Sequence, residues 1–312
     1  MKLKSLLHPF RSYRNRKRYR YYKSPAFREL LLSNPKAALD IFWMIQVQKP
    51  MNWDNPQTLN EKNFWLEVYS DTSKWTEFSD KYLVRNHIEE LGLGQILTKL
   101  YGVWEKAEDI DFDVLPNSFV LKCNHDSGSC IIVKDKMNID ENEIKAKLQQ
   151  SLDMPYGYDT VEPHYLKIHP VIIAEELLEE INPTVSSTSL IDYKFFCFGG
   201  KAECCMICYD RGNRTATFDI YDLKDWARYK YMSKKYAKQN FKHSIPKPDN
   251  LDEMLSIVEK LSDGFPFLRV DLYNIVGRGV VFGELTFTPH GAIQDCFSEE
   301  GQHELGKKIK IH

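Results

Sequence analysis

The sequence predicts an α+β protein. Three observations carry that reading: apolar residues at helical spacing over residues 24–115, a change after residue 115 to short apolar runs separated by glycine-containing loops, and a strand pair near the C-terminus that gathers acids and an arginine onto shared faces. The 312 residues suffice for two or three compact units, and 43% hydrophobic with 28% charged content is that of a globular chain rather than a disordered one. No apolar run approaches the ~20 residues that span a bilayer. Met1 to Pro9 lacks the apolar stretch and cleavage site of a secretory leader, so a cytoplasmic protein is expected.

Residues 1–23 form a basic tail with nine Lys or Arg and no acid, leaving 33 basic against 44 acidic residues in the remainder. The next unit, 24–115, reads as mainly helical. Pro25–Leu32 and Pro35–Val47 start with proline in the first turn, and Thr58-Leu59-Asn60-Glu61 is a capping box opening a helix through Tyr69. Ser79-Asp80 is read as capping Lys81–Leu91, closed by Gly92. In a third unit, 116–185, Asn117–Lys122 and Cys130–Lys134 read as strands around a polar loop, Asp140–Leu152 as a helix and Val171–Leu178 as a buried strand. Ile181–Ser189 is the best linker candidate. In the last unit, 186–312, Tyr193–Phe198 and Ala202–Tyr209 form a hairpin about Gly199-Gly200. Leu251–Leu261 is an amphipathic helix, and Phe267–Tyr273 pairs with Gly279–Glu284. Seven cysteines without regular spacing, including Cys205-x-x-Cys208 inside a strand, read as core residues.

The chemistry sits in the strand pairs. A strand ending in Lys122 and followed by Asn124-His125-Asp126-Ser127-Gly128-Ser129 can cradle phosphate with loop N–H groups, hydroxyls and a point charge. Alternation puts Arg269 with Asp271, and Glu284 with Thr286, on shared strand faces. Two carboxylates from neighbouring strands are what Mg²⁺ on nucleotide phosphates requires.

These stretches resemble a known family. Leu59–Lys62, Asp80–Arg85, Phe119–His125, Ile172–Leu177, Asp192–Phe196, Gly264–Tyr273 and Phe282–Phe287 resemble, in order, the ATP-grasp superfamily and its TupA-like teichuronopeptide-biosynthesis branch, over roughly residues 48–310. The resemblance implies an ATP-grasp fold of two α+β subdomains clasping ATP, behind a helical N-terminal unit. It also implies a role for each matched residue. Lys81 reaches the α-phosphate, Lys122 precedes the phosphate loop, and Asn124, His125, Ser127, Gly128 and Ser129 belong to that loop. Glu175, Glu176 and Leu178 lie on the adenine hinge, and Asp192 holds the ribose, with Lys194 a further phosphate contact on its face. Asp271 and Glu284 bind Mg²⁺, and Arg269 steadies the transferring phosphate, with Lys122 beside it in the catalytic set. Thr286 stands where most relatives carry asparagine, and the loop holds one glycine where many hold two or three.

The activity implied is carboxylate–amine ligation through an acylphosphate, in bacterial surface-polysaccharide assembly, with small-molecule or glycan acids and amines as substrates. Phosphotransfer to a sugar hydroxyl and glycosyl transfer in the same pathway are the alternatives. His125, Asp126, His164, Tyr165, His290, Arg211 and Arg214 are candidates for the acceptor side. The tail suits anionic membrane, at roughly 1 kcal/mol per basic side chain. Its charges would also attract nucleic-acid phosphates, though no specific nucleic-acid partner is expected, and a solvated tail without a partner is the equal alternative. Vesicle co-sedimentation checks this: the full chain should bind anionic vesicles at low salt and release at high salt, as the Debye length falls from about 10 Å at 0.1 M to about 3 Å at 1 M. A form starting at Ser24 should not bind; equal binding by both forms would remove the tail as an anchor.

Overall fold

The computed structural model describes residues 16–179, 187–212, 215–238 and 245–311. Most of the basic tail, most of the Ile181–Ser189 linker and Arg214 lie outside them. Side-chain caps start the first helices. Pro25–Ser33 and Pro35–Gln46 follow Ser24 and Asn34, whose side chains accept the N–H groups of Phe27 and Ala37. Leu59–Tyr69 has the full capping box: Thr58 Oγ1 accepts the Glu61 N–H, and the Glu61 carboxylate accepts that of Thr58. Their apolar faces meet in a cluster of Phe27, Leu31, Leu39, Phe42, Trp43 and Phe64. Tyr22, from the end of the basic run, packs its ring 5.2 Å from that of Phe27.

One helix start differs from expectation. The helix is Val84–Glu90, not Lys81–Leu91, because Asp80 Oδ1 takes the N–H groups of Tyr82 and Leu83 at 2.8 and 3.1 Å and holds 81–83 in a turn. Lys81 therefore stands in that turn.

Two antiparallel sheets follow. The first has the order β1-β4-β2-β3, from β1 (Leu100–Trp104), β2 (Phe119–Cys123), β3 (Ile131–Val133) and β4 (Ile172–Glu175). β1 falls in the stretch read as helical; it is half-buried along its whole length, so no alternation marks it. The second sheet has the order β7-β6-β5-β8-β9, from β5 (Asp192–Phe198), β6 (Lys201–Gly212), β7 (Thr215–Asp222), β8 (Phe267–Ile275) and β9 (Gly279–Thr286). Gly199 and Gly200, at φ +56° and +77°, make the tight turn from β5 to β6. Helix Glu141–Leu152 packs on β2, and Leu251–Ser262 packs on β5, β6 and β8, which leaves the opposite face of the second sheet for polar groups. Cys204, Cys205 and Cys208 are buried and free. Among the described residues no helix is long and apolar enough to cross a membrane.

Helix Glu299–Lys308 crosses the start of Leu59–Tyr69 at Gly306, where a Cβ would lie 2.2 Å from the Gln57 carbonyl oxygen and 2.8 Å from the Thr58 carbonyl carbon. Backbone cannot rotate away. Gly306→Ala should therefore destabilise the protein by about 1–3 kcal/mol, although alanine is the better helix former by ~1 kcal/mol. Thermal denaturation checks the sign, and a variant as stable as the wild type would contradict the crossing.

Candidate active site between the two sheets

The polar face of the second sheet is set by register. Lys194 lies opposite Asp271, Asp271 opposite Glu284, and Arg269 opposite Thr286. Residues two apart on a strand share a face, so Asp192, Lys194, Arg269, Asp271, Glu284 and Thr286 all point the same way. The β8–β9 ladder bulges after Asp271, with Gly283 as the extra residue. A Cβ on Gly283 would sit 2.9 Å from the Asp271 carbonyl oxygen, so only glycine lets β9 close on β8 here.

Arg269 forks onto Asp271, Nε to Oδ1 and Nη2 to Oδ2 at 2.7 Å each, and Nη2 also reaches Glu284 Oε1 at 2.6 Å and Thr286 Oγ1 at 3.1 Å. Lys194 donates to Asp271 from the other side and meets Asp192 Oδ2 at 2.6 Å. Arg211 reaches the same Asp192 oxygen at 2.6 Å, while Asp192 Oδ1 is buried with no hydrogen-bond partner. Burial pushes the Asp271 carboxyl up, to about 6, against the pull of Arg269 and Lys194. Burial acts on Glu284 too, but Arg269, Lys194 and Lys81 outweigh it and hold that carboxyl below the usual range. Both acids are ionised at neutral pH.

Among the described residues no three His, Cys, Asp or Glu side chains form a complete metal cage. Asp271 and Glu284 fit the other kind of site, in which one or two carboxylates hold Mg²⁺ and phosphate and water oxygens complete its octahedron. The Thr286 hydroxyl, donating to Glu284 Oε1 at 2.9 Å, is a third oxygen beside them.

Across the cleft, the β2–β3 loop divides its predicted contacts. Asn124 is pinned by its side chain, donating to the His169 carbonyl at 3.0 Å and accepting the Val171 N–H at 2.8 Å. His125 Nε2 lies 3.3 Å from the Met154 carbonyl oxygen. Ser129 accepts the Cys123 N–H at 2.8 Å and donates to Asp126 at 2.6 Å. These three brace the loop, whereas Ser127 and Gly128 at its tip are exposed, with Gly128 at φ +120°. Lys81 caps the carbonyls of Asn124 and Asp126. Burial lowers its pKa, and Glu284 partly restores it, so the loop and the acid pair face one another. Lys122 pairs with Glu175 Oε2 at 2.5 Å, and Arg85 and Thr98 hold Oε1 at 3.0 Å each. The Glu175 side chain is thus the counter-ion of Lys122. Glu176 pairs with Arg278 at 2.7 Å and gives its N–H to Lys99. Among the described residues no backbone hydrogen bond reaches Leu177 or Leu178.

A second polar group, beyond the end of β9, had no sequence signal. Thr288 donates to Glu162, which is 4% exposed and forms no ion pair with any described residue. Burial pushes the Glu162 carboxyl up to about 7, against the hydrogen bond from Thr288; Glu284 adds to the rise and Arg269 opposes it. The charges of Glu162 and Glu284 are both felt at Tyr156 and Tyr165. Val161 holds φ +58°, a left-handed conformation rare for a β-branched residue. Behind Glu162, Glu67 Oε1 and His164 Nδ1 are buried 3.9 Å apart without a hydrogen bond. Burial raises Glu67 well above its usual range and lowers His164 to about 3, so both are neutral. The acceptor-side candidates His164 and Tyr165 flank this group, and His290 is exposed.

Because the folded state holds the Glu162 proton more tightly than the unfolded chain, its burial costs nothing below about pH 4.5 and its full amount, about 3 kcal/mol, above pH ~7. Glu162→Gln should therefore raise the Tm relative to wild type at pH 8 and not at pH 4.5. A difference independent of pH would contradict the burial.

Residues 61–310 match the family described as TupA-like ATPgrasp. No curated protein matches the chain. Among solved structures it is similar to a D-alanine–D-alanine ligase from Bacillus anthracis complexed with ATP (16% identity, TM-score 0.43, covering 75% of this chain and 65% of that one). It is similar also to a D-alanine–D-alanine ligase from Helicobacter pylori (14% identity, TM-score 0.44, 82% of this chain and 68% of that one). A third is the ATP-grasp ligase PsnB complexed with minimal precursor, Mg and ADP (12% identity, TM-score 0.41, 92% of this chain and 75% of that one). The chain spans less than two thirds of the first of these, and at such TM-scores the assignment rests on the family match instead. That match takes in both sheets and every polar residue of the cleft, and on it the chain belongs to the TupA-like ATP-grasp family.

Proposed function

We propose that the protein is an Mg·ATP-dependent carboxylate–amine ligase, serving the building of a bacterial surface polysaccharide at the membrane's inner face. The observation that carries this reading is the Asp271–Glu284 pair, opposite in register and bracketed by Arg269 and Lys194. Asp271, Glu284 and Thr286 would hold Mg²⁺, which supplies charge neutralisation on the phosphates. Lys81, Lys122 and the Ser127–Gly128 tip would hold the phosphate chain, and the backbone at Leu177 and Leu178 the adenine edge. The unpartnered Asp192 Oδ1 suits a ribose hydroxyl. A substrate carboxylate oxygen bonds the γ-phosphorus as ADP leaves. An amine then attacks the acylphosphate carbonyl, and the C–O bond to phosphate breaks. Arg269 and Lys194 stabilise charge throughout, and no protein nucleophile is required.

The test is ADP release by the full chain against a panel of amino acids, uronic acids and amino sugars, with products weighed by mass spectrometry. An amide is expected; a phosphorylated sugar would replace this reading with phosphotransfer. Glu284→Gln should abolish magnesium-dependent turnover with the fold intact, since its side chain is 40% exposed while Asp271 keeps its cations. Lys81→Met and Lys122→Met should each weaken ATP binding about tenfold to a hundredfold by calorimetry, as charge-assisted hydrogen bonds are worth about 1.5–3 kcal/mol. Full turnover in Glu284→Gln, or unchanged affinity in both lysine variants, would move the site elsewhere.

A further inference from the structure

An amine that attacks an acylphosphate arrives at neutral pH as an ammonium and must lose a proton first. The carboxylates of the nucleotide cleft are poorly placed to take it. Asp271 is clasped by Arg269 and Lys194, Asp192 by Lys194 and Arg211, Glu284 by Arg269, and Glu175 by Lys122 and Arg85. Each already gives its oxygens to a cation that would have to be displaced before it could take a proton. Glu162 differs: among the described residues it has no cationic partner, and it hangs from Thr288, two residues along the chain from Thr286. We propose that Glu162 is the general base of the acceptor subsite, binding an incoming primary ammonium beside Tyr156 and Tyr165 and accepting its proton.

This rests on the ligase reading and names the residue that the second half-reaction needs. One proton passes from the ammonium to the Glu162 carboxylate. The freed nitrogen lone pair forms the C–N bond, the C–O bond to phosphate breaks with its electrons on phosphate, and the second N–H proton leaves with that phosphate. The surroundings of Glu162 suit this exchange. Glu67 and His164, packed behind it, are neutral, Glu284 disfavours its charge from β9, and Arg269 from β8 opposes that, with Lys167 close enough to act on His164. Its carboxyl, near 7, matches the pH at which proton transfer is efficient. Tyr156 and Tyr165 pack edge to face with ring centroids 5.0 Å apart, and the charges of Glu162 and Glu284 both act on them. Such rings favour a cation over their faces. Gly157 folds this segment tightly: a Cβ there would lie 2.6 Å from the Glu162 carbonyl oxygen, and Val161 bears a left-handed φ next to Glu162. Backbone held in such conformations clusters at functional sites.

The experiment compares two nucleophiles on the full-length protein with Mg·ATP. Hydroxylamine, already unprotonated at neutral pH, traps the acylphosphate as a hydroxamate without a base; the amino acids and amino sugars of the panel need one. In Glu162→Gln the ratio of amide to hydroxamate should fall at least a hundredfold. The wild-type rise of amide formation through about pH 7 should be lost with it. No hydroxamate from the wild type with any acid overturns the ligase reading and this inference together. Hydroxamate without amide from any panel amine overturns the amine subsite alone. An unchanged ratio in the variant, or equal loss of both products, overturns the role of Glu162. The thermal stability of Glu162→Gln at pH 8 guards against reading misfolding as lost catalysis.

Discussion

The polar face of the second sheet depends on the buried guanidinium of Arg269. It is 7% exposed and joins β8 to β9 through Asp271, Glu284 and Thr286. Taking such a group out of water costs several kcal/mol, which only well-formed ionic hydrogen bonds offset. The bidentate fork onto Asp271 supplies them, and Lys194 and Arg211 extend the same alternation of charge to Asp192. Deleting Asp271 would strand the buried charges of Arg269 and Lys194, so the centre of the face keeps its geometry. Stability and preorganisation therefore come from one network, and the apolar opposite face, under helix Leu251–Ser262, is what allows it to be buried.

The first sheet solves a different problem. Two lysines, one on β2 and one in the turn after Asp80, flank the same loop, and each has its own acceptor. Lys81 is held by two backbone carbonyls, and Lys122 by Glu175, itself gripped by Arg85 and Thr98. Arg278, from the β8–β9 turn, pairs with Glu176 at the end of β4 and so ties the two sheets at the rim.

How much of this was legible follows from what the chain encodes locally. Helices with proline and caps at their starts, and strands with alternation or long apolar runs, could be read to within a few residues. The facing of Asp271 and Glu284 followed from period two, even though the Gly283 bulge that perfects it leaves no signal of its own. β1 was missed because a half-buried edge strand does not alternate, and the start at Val84 because an aspartate that caps a helix also closes a turn. Glu162 was invisible for a stronger reason. Its chemistry comes from burial, from Thr288 more than a hundred residues away and from the neutrality of Glu67 and His164. None of these is a property of neighbouring sequence.

The crossing at Gly306 bears on how the chain is assembled. Helix Leu59–Tyr69 donates Asn63 Nδ2 to the Phe287 carbonyl, Lys62 Nζ to the Ile309 carbonyl and the Asn60 N–H to Gln302 Oε1, partners 224 to 247 residues later in translation. Contacts of such separation must close their loop before they reward it, and they slow folding accordingly. That helix thus waits, with Leu59 and Leu66 unsheltered, until the segment from Phe287 to Ile309 has been made. During synthesis this early apolar surface is the part of the protein most in need of a chaperone's cover.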